Sequence, residues 1–167
     1  MNRKKKKRFL SLLLAMTVLG TMMYSAVPVS AQGKADVGKI VNGSELILSD
    51  EAEDSSQSLS RGVYLASGTV KLSNDGNSSV LMFGMTSCNK VSEKVYLNVY
   101  LEQLDDETQS WYTYKYWNFN TVNDYSLTKT LRYTVPSGHW YRMRGAHVAI
   151  TGSIVESTTT TTDGIWI

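Results

Sequence analysis

The feature that most constrains this chain is a strict two-residue alternation across Glu93–Leu104. Val95, Leu97, Val99 and Leu101 fall on one side of an extended backbone, and Lys94, Tyr96, Asn98, Tyr100 and Glu102 on the other. Successive side chains of a strand point to opposite faces, so this is a strand with one face in a core and one half-wet. No stretch of eleven or more residues has helical periodicity, and the expectation is therefore an all-β domain.

The same period marks the segment from Val135 to His147. A strand ends at Val135 and a turn follows at Pro136–Gly138, where Pro presets φ and Gly accepts positive φ. The next strand sends Tyr141, Met143 and Gly145 one way and Arg142 and Arg144 the other. A Tyr entering the core just after such a corner suits the late hairpin of an immunoglobulin- or fibronectin-type sandwich.

Further strands are expected at Gly62–Leu72, Ser79–Cys88, Trp111–Asn118 and Ser126–Val135, with a short closing edge at Ile165–Ile167. Ser79–Cys88 is apolar on both faces, as in a central strand covered on both sides. Asn89–Ser92 reads as a loop. Phe119–Tyr125 reads as a polar connection crossing between sheets. The five threonines Thr158–Thr162 have high β-propensity and little to offer a core. The result is an antiparallel β-sandwich of about seven strands over residues 61–167.

The N-terminus has a different character. Arg3–Arg8 is six consecutive basic residues, Phe9–Gly20 is apolar, and Val29–Ser30–Ala31 offers small residues for cleavage. This is the pattern of a secretory signal peptide over residues 1–31, cut near Ala31–Gln32. An uncleaved membrane anchor is the alternative. The basic run looks like Gram-positive leaders. Membrane contact is expected only through this leader, and the C-terminus shows no wall-sorting tail.

Removing the leader changes the charge. The whole chain is +2, but all six leader charges are positive, so the rest holds eleven basic and fifteen acidic residues, a net of −4. A nucleic-acid partner is therefore not expected. The acids concentrate in residues 32–60, where Ser49–Ser60 reads as a solvated, flexible lead. Within it, Asn42–Gly43 could turn a short hairpin, or Leu46 and Leu48 could dock on the domain. With one cysteine, Cys88, the fold cannot be stapled by an internal disulfide, and that thiol reads as a small buried hydrophobe.

The candidate binding residues are aromatic and basic: Tyr96, Tyr100, Tyr112, Tyr114, Tyr116, Trp117, Trp140, Arg142 and Arg144. Tyr112, Tyr114 and Tyr116 are expected on one face of their strand, with Trp111, Thr113, Lys115 and Trp117 on the other. Two readings are open. The set forms a platform that stacks sugar rings or grips a protein surface, or it is ordinary cross-strand packing. The two arginines either receive a carboxylate or phosphate, or pair with Glu102 and stack on Trp140.

Other chemistry finds little footing. Asp105–Glu107 lacks the spacing of a calcium loop and reads as a solvated hairpin tip. His139 and His147, on one strand, would stand roughly 26 Å apart, too far to share a metal. No nucleophile elbow, HExxH or phosphate-cradling loop is present, so no cofactor, metal site or catalytic residue is assigned.

Several stretches together carry a resemblance: Gly43–Ser44–Glu45–Leu46, Arg61–Gly62–Val63–Tyr64–Leu65–Ala66–Ser67–Gly68, Val99–Tyr100–Leu101–Glu102–Gln103–Leu104, Trp140–Tyr141–Arg142–Met143–Arg144–Gly145–Ala146–His147, Val155–Glu156–Ser157 and Thr162–Asp163–Gly164–Ile165. With these the chain resembles small secreted proteins of anaerobic, clostridial-type Gram-positive bacteria that carry a domain of unknown function. The resemblance covers most of the mature chain and implies no activity or ligand. The expected role is a non-catalytic extracellular module binding a glycan, the cell wall or a protein surface. Alternatives are a small secreted effector of bacteriocin type, or an enzyme on wall polysaccharide using Glu102, Asp105 or Asp106.

Overall fold

A computed structural model describes residues 32–57 and 62–167. The expected leader, residues 1–31, and the last residues of the acidic lead, 58–60, lie outside the described residues. After a 3-10 turn at Gln32–Asp36 come nine strands: β1 Ile40–Val41, β2 Ser44–Ile47, β3 Glu51–Gln57, β4 Leu65–Gly76, β5 Ser79–Asp105, β6 Ser110–Thr134, β7 Trp140–Thr151, β8 Ile154–Thr161 and β9 Gly164–Trp166. The all-β expectation holds. The strands form one sheet in the order β1-β2-β9-β7-β5-β4-β3, with β6 added on β5 and β8 on β7. The β2–β9 pair is parallel, matching Leu46 with Gly164, so the sheet is mixed and has nine strands rather than about seven antiparallel ones.

Two long strands shape this sheet. The loop expected at Asn89–Ser92 lies inside β5, and the crossing connection expected at Phe119–Tyr125 lies inside β6. Polar residues there signal a bend, not an end. Register passes from Ser87↔Ser126 to Ser92↔Asp124, so residues 88–91 bulge from the ladder, while Asn123 takes a left-handed φ of 53°. Before the bulge β5 pairs with β4, and after it with β7. The strand thus folds its second half over its first. The Thr86 hydroxyl donates to the Tyr96 carbonyl at 3.0 Å, and Gly84 faces Leu97 and Val99. The two layers are halves of the same curled hairpin.

The inside of the curl is the main core. Val70, Leu72, Val80 and Met82 come from one layer, and Val95, Leu97, Val99, Leu101, Tyr141 and Met143 from the other. The alternation of residues 95–101 and the inward set Tyr141, Met143 and Gly145 are as the sequence predicts. Ser79–Cys88 is central but buried on one face only, with Leu81, Phe83 and Met85 half-buried. Cys88 is buried, and burial pushes its thiol up. At the corner, the Tyr141 hydroxyl donates to the Pro136 carbonyl at 2.9 Å, which ties the strand to the turn before it.

Two polar stretches are structural, contrary to their sequence reading. Glu51–Gln57, read as part of a solvated lead, pairs with β4, burying Ala52 and exposing Glu51 and Glu53. Its weak β-propensity is overridden by the ladder and by side-chain bonds to the far edge of the curl. Asp54 accepts the Thr161 amide at 2.7 Å, and Ser56 bonds the Thr158 hydroxyl at 2.7 Å. The threonine run likewise contributes to the interior: Thr160 and Thr162 are buried, and Thr162 Oγ1 accepts the Met143 amide at 2.9 Å.

Between the layers lies His147, fully buried. The Thr86 hydroxyl spends its proton on Tyr96, so it accepts from His147 Nδ1–H at 2.9 Å. Nε2 then accepts from Thr160 Oγ1 at 2.9 Å. Both ring nitrogens are satisfied in the neutral form, and burial pulls the imidazole down to about 4. At the curl's edge, Glu156 accepts the amides of Val63, Tyr64 and Leu65 at 2.6–3.0 Å. Desolvation pushes its carboxyl up, but the three bonds outweigh this and hold it below the usual range.

A second small core lies on the outer face of the sheet, at one end. Leu104 and Trp140, with Trp111 and Trp166, are covered there by Val41 and Leu46 of the β1–β2 hairpin. Asn42 and Gly43 turn that hairpin with φ of 47° and 84°. Leu46 docks, whereas Leu48 stays exposed.

Candidate functional site

The outer face of β6, β5 and β7 collects most of the residues that sequence singles out. Register sets them in rows. Tyr96 lies between Asn120 and Val148, Asn98 between Asn118 and Ala146, and Tyr100 between Tyr116 and Arg144. Glu102 then faces Arg142. Partners in a ladder share a face, so one surface presents Tyr96, Asn98, Tyr100, Tyr116, Asn118 and Asn120 beside Arg144.

A chain of charge and ring contacts crosses this face. Glu102 is buried and accepts from Arg142 Nε at 2.8 Å with one oxygen and from Arg144 Nε at 2.9 Å with the other. Arg142 goes on to the Asn42 carbonyl at 3.1 Å and the Ser44 hydroxyl at 3.0 Å, with its guanidinium 4.6 Å from the centre of the Trp111 ring. It anchors the β1–β2 hairpin. The Arg144 guanidinium lies 4.1 Å from the centre of the Tyr100 ring, and Tyr100 stacks with Tyr116 at 6.4 Å and 27°. The arginines therefore pair with Glu102, as one sequence reading has it, but stack on Trp111 and Tyr100 rather than on Trp140.

The face predicted for Tyr112, Tyr114 and Tyr116 does not form. Register slips between Leu101↔Lys115 and Glu102↔Thr113, leaving Tyr114 as the extra residue of a bulge. Tyr114 turns inward, edge-on to Tyr133 and Tyr141 at 6.4 and 6.1 Å. Tyr112 follows on the Tyr141 side and is exposed, while Tyr116 stays on the outer face. Trp117 is also inward, 5.4 Å from Tyr133. Trp140 is buried in the second core, 5.2 Å from Trp166. Of the nine candidates, the structure brings Tyr96, Tyr100, Tyr116 and Arg144 together on an accessible surface, with Arg142 beneath its edge.

Sequence reasoning passed over Asn98, Asn118 and Asn120. The signal for Asn98 is its parity with Tyr96 and Tyr100, but which β6 residues stand opposite depends on register. Two of the three acidic residues weighed for catalysis, Glu102 and Asp105, are engaged locally. Both Glu102 oxygens are bonded to arginines. Asp105 accepts the Glu107 and Thr108 amides at 2.9 and 2.8 Å in the β5–β6 turn, and the bond from Thr108 leads in holding its carboxyl below the usual range. Among the described residues no group of three or more His, Cys, Asp or Glu is placed to hold a metal ion.

The class defined by these features is a curled mixed β-sheet with an aromatic and amide-rich outer face. The chain belongs to a family of unknown function, DUF6147, whose model matches residues 35–165. No curated protein and no solved structure matches it.

Proposed function

We propose that this protein is an exported, non-catalytic binding module, and that a glycan of a cell wall or other surface is its ligand. The single observation behind the reading is the outer row set of Tyr96, Asn98 and Tyr100 on β5 against Asn120, Asn118 and Tyr116 on β6. Flat rings stack on the apolar faces of sugars, and amides both donate to and accept from sugar hydroxyls. Tyr116 is 58% exposed, which is high for a large ring with no covering segment among the described residues. Export rests on the basic, apolar and small-residue order of residues 1–31, with cleavage near Ala31–Gln32. A Gram-positive source fits the long basic run of that leader, and a clostridial type rests on the motif resemblance alone. An immunoglobulin-like scaffold is the fold analogue, supported by the Tyr141–Pro136 corner bond.

The test is co-sedimentation of the protein with purified Gram-positive cell walls and insoluble polysaccharides, beside a Tyr100→Ala/Tyr116→Ala variant. Retention of the parent and release of the variant is the expected outcome. Equal retention of both would place binding elsewhere, and no retention of either would remove the glycan reading.

A further inference from the structure

We infer that Arg144 is a recognition point for a carboxylate carried on the bound sugar, so that the ligand is an acidic, uronate-containing polysaccharide. This rests on the glycan-binding reading of the outer face. The two arginines differ in what they have left to offer. Arg142 is buried and uses Nε on Glu102 and Nη1 on Asn42 and Ser44. Arg144 uses Nε alone, and its two terminal amino groups have no hydrogen-bond partner among the described residues. Its side chain is 34% exposed, whereas that of Glu102 is 7% exposed.

The geometry points to a preformed fork. Glu102 holds Arg144 at Nε and the Tyr100 ring supports the guanidinium plane, so little side-chain freedom is left to lose on binding. The edge of the guanidinium away from Nε carries two parallel N–H donors, which match the two oxygens of a carboxylate. Charge agrees with this. Two arginines share one glutamate, leaving one positive charge uncompensated on a domain whose chain beyond the leader is net −4. Arg144, Tyr100 and Tyr116 lie in one row across three strands, a span of about 10 Å at ordinary strand spacing. A sugar ring over the tyrosines would thus bring a ring carboxylate within reach of the fork.

The experiment is affinity electrophoresis of the purified full chain through gels holding polygalacturonate, the same polymer after carboxyl reduction, or poly(glycerol phosphate). Arg144→Lys and Tyr116→Ala variants run in parallel. The expected result is retardation by polygalacturonate that falls about tenfold or more with Arg144→Lys, which keeps the charge and loses the fork. The unaltered protein should lose the same retardation on the carboxyl-reduced polymer, an arm that needs no variant to fold. Equal retardation by the reduced polymer or by poly(glycerol phosphate), or an unchanged Arg144→Lys, would overturn the carboxylate assignment. If binding to the neutral polymer then still depended on Tyr116, the glycan face would stand without it. No retardation by any polymer, with no retention on cell walls, would remove both.

Discussion

A Cβ placed on Gly68 would stand 2.2 Å from Cδ2 of His147, so the imidazole of one layer fills the space above the bare backbone of the other. The ring cannot simply turn away, because Thr86 and Thr160 hold its two nitrogens. Gly145 borders the same ring, its would-be Cβ 2.7 Å from Nε2. The layers approach this closely at His147 because Gly68, opposite the ring, and Gly145, beside it on β7 and against Val70 of the other layer, carry no side chain.

Gly68→Ala is expected to destabilise the protein by about 3 kcal/mol, the upper end of overpacking costs, since the overlap is with a fixed ring. The midpoint of urea unfolding reads this directly. An unchanged midpoint would mean that the imidazole moves freely.

Stability should fall with acid in a window set by His147. Its pKa is about 4 folded, against 6.5 for the free group. Above pH 6.5 both states are neutral there and nothing is lost. Below it the unfolded chain takes up a proton that the native state refuses, so stability declines by about 3 kcal/mol between pH 7 and pH 4 and then levels for this group. Glu156, with its carboxyl held down from 4.5, adds a loss of the same sign only at lower pH. Urea unfolding of the parent and of His147→Gln at pH 7, 6 and 5 separates the two. The variant should lack the slope over that range.

Glu102→Ala should cost about 3–5 kcal/mol, because it leaves the Arg142 guanidinium buried without its counter-charge. Arg144→Ala should cost about 1 kcal/mol or less, since that side chain is a third exposed and Glu102 keeps its other partner. A double-mutant cycle should show stronger coupling of Glu102 to Arg142 than to Arg144. Equal couplings would contradict the asymmetry on which Arg144's free fork depends.

Tyr114 and Tyr116, two residues apart, should behave as different kinds of residue. Tyr114→Ala removes a ring packed against Tyr133 and Tyr141 and should cost about 3 kcal/mol. Tyr116→Ala removes a mostly exposed ring and should change stability by no more than about 1 kcal/mol. Thermal melts of the two variants check this. Similar losses would mean that the bulge does not separate them.

The all-β class, the central strand through Val95–Leu101 and the inward Tyr141 and Met143 were legible in the sequence, because a two-residue period is a local property of the backbone. So was the turn at Asn42–Gly43, where residue type dictates positive φ. The acidic strand Glu51–Gln57 and the buried Thr160 were not legible. Their residues become strand and core through partners ten or more positions away, which no local pattern records. The site divides in the same way. Composition and alternation determined that Tyr, Asn and Arg would line a sheet face. Only the tertiary structure decided which ones do, because a single bulge at Tyr114 reverses the facing of the residues on one side of it, and because the β1–β2 hairpin engages Arg142 through Asn42 and Ser44 while Arg144, held by the same glutamate, keeps an open edge.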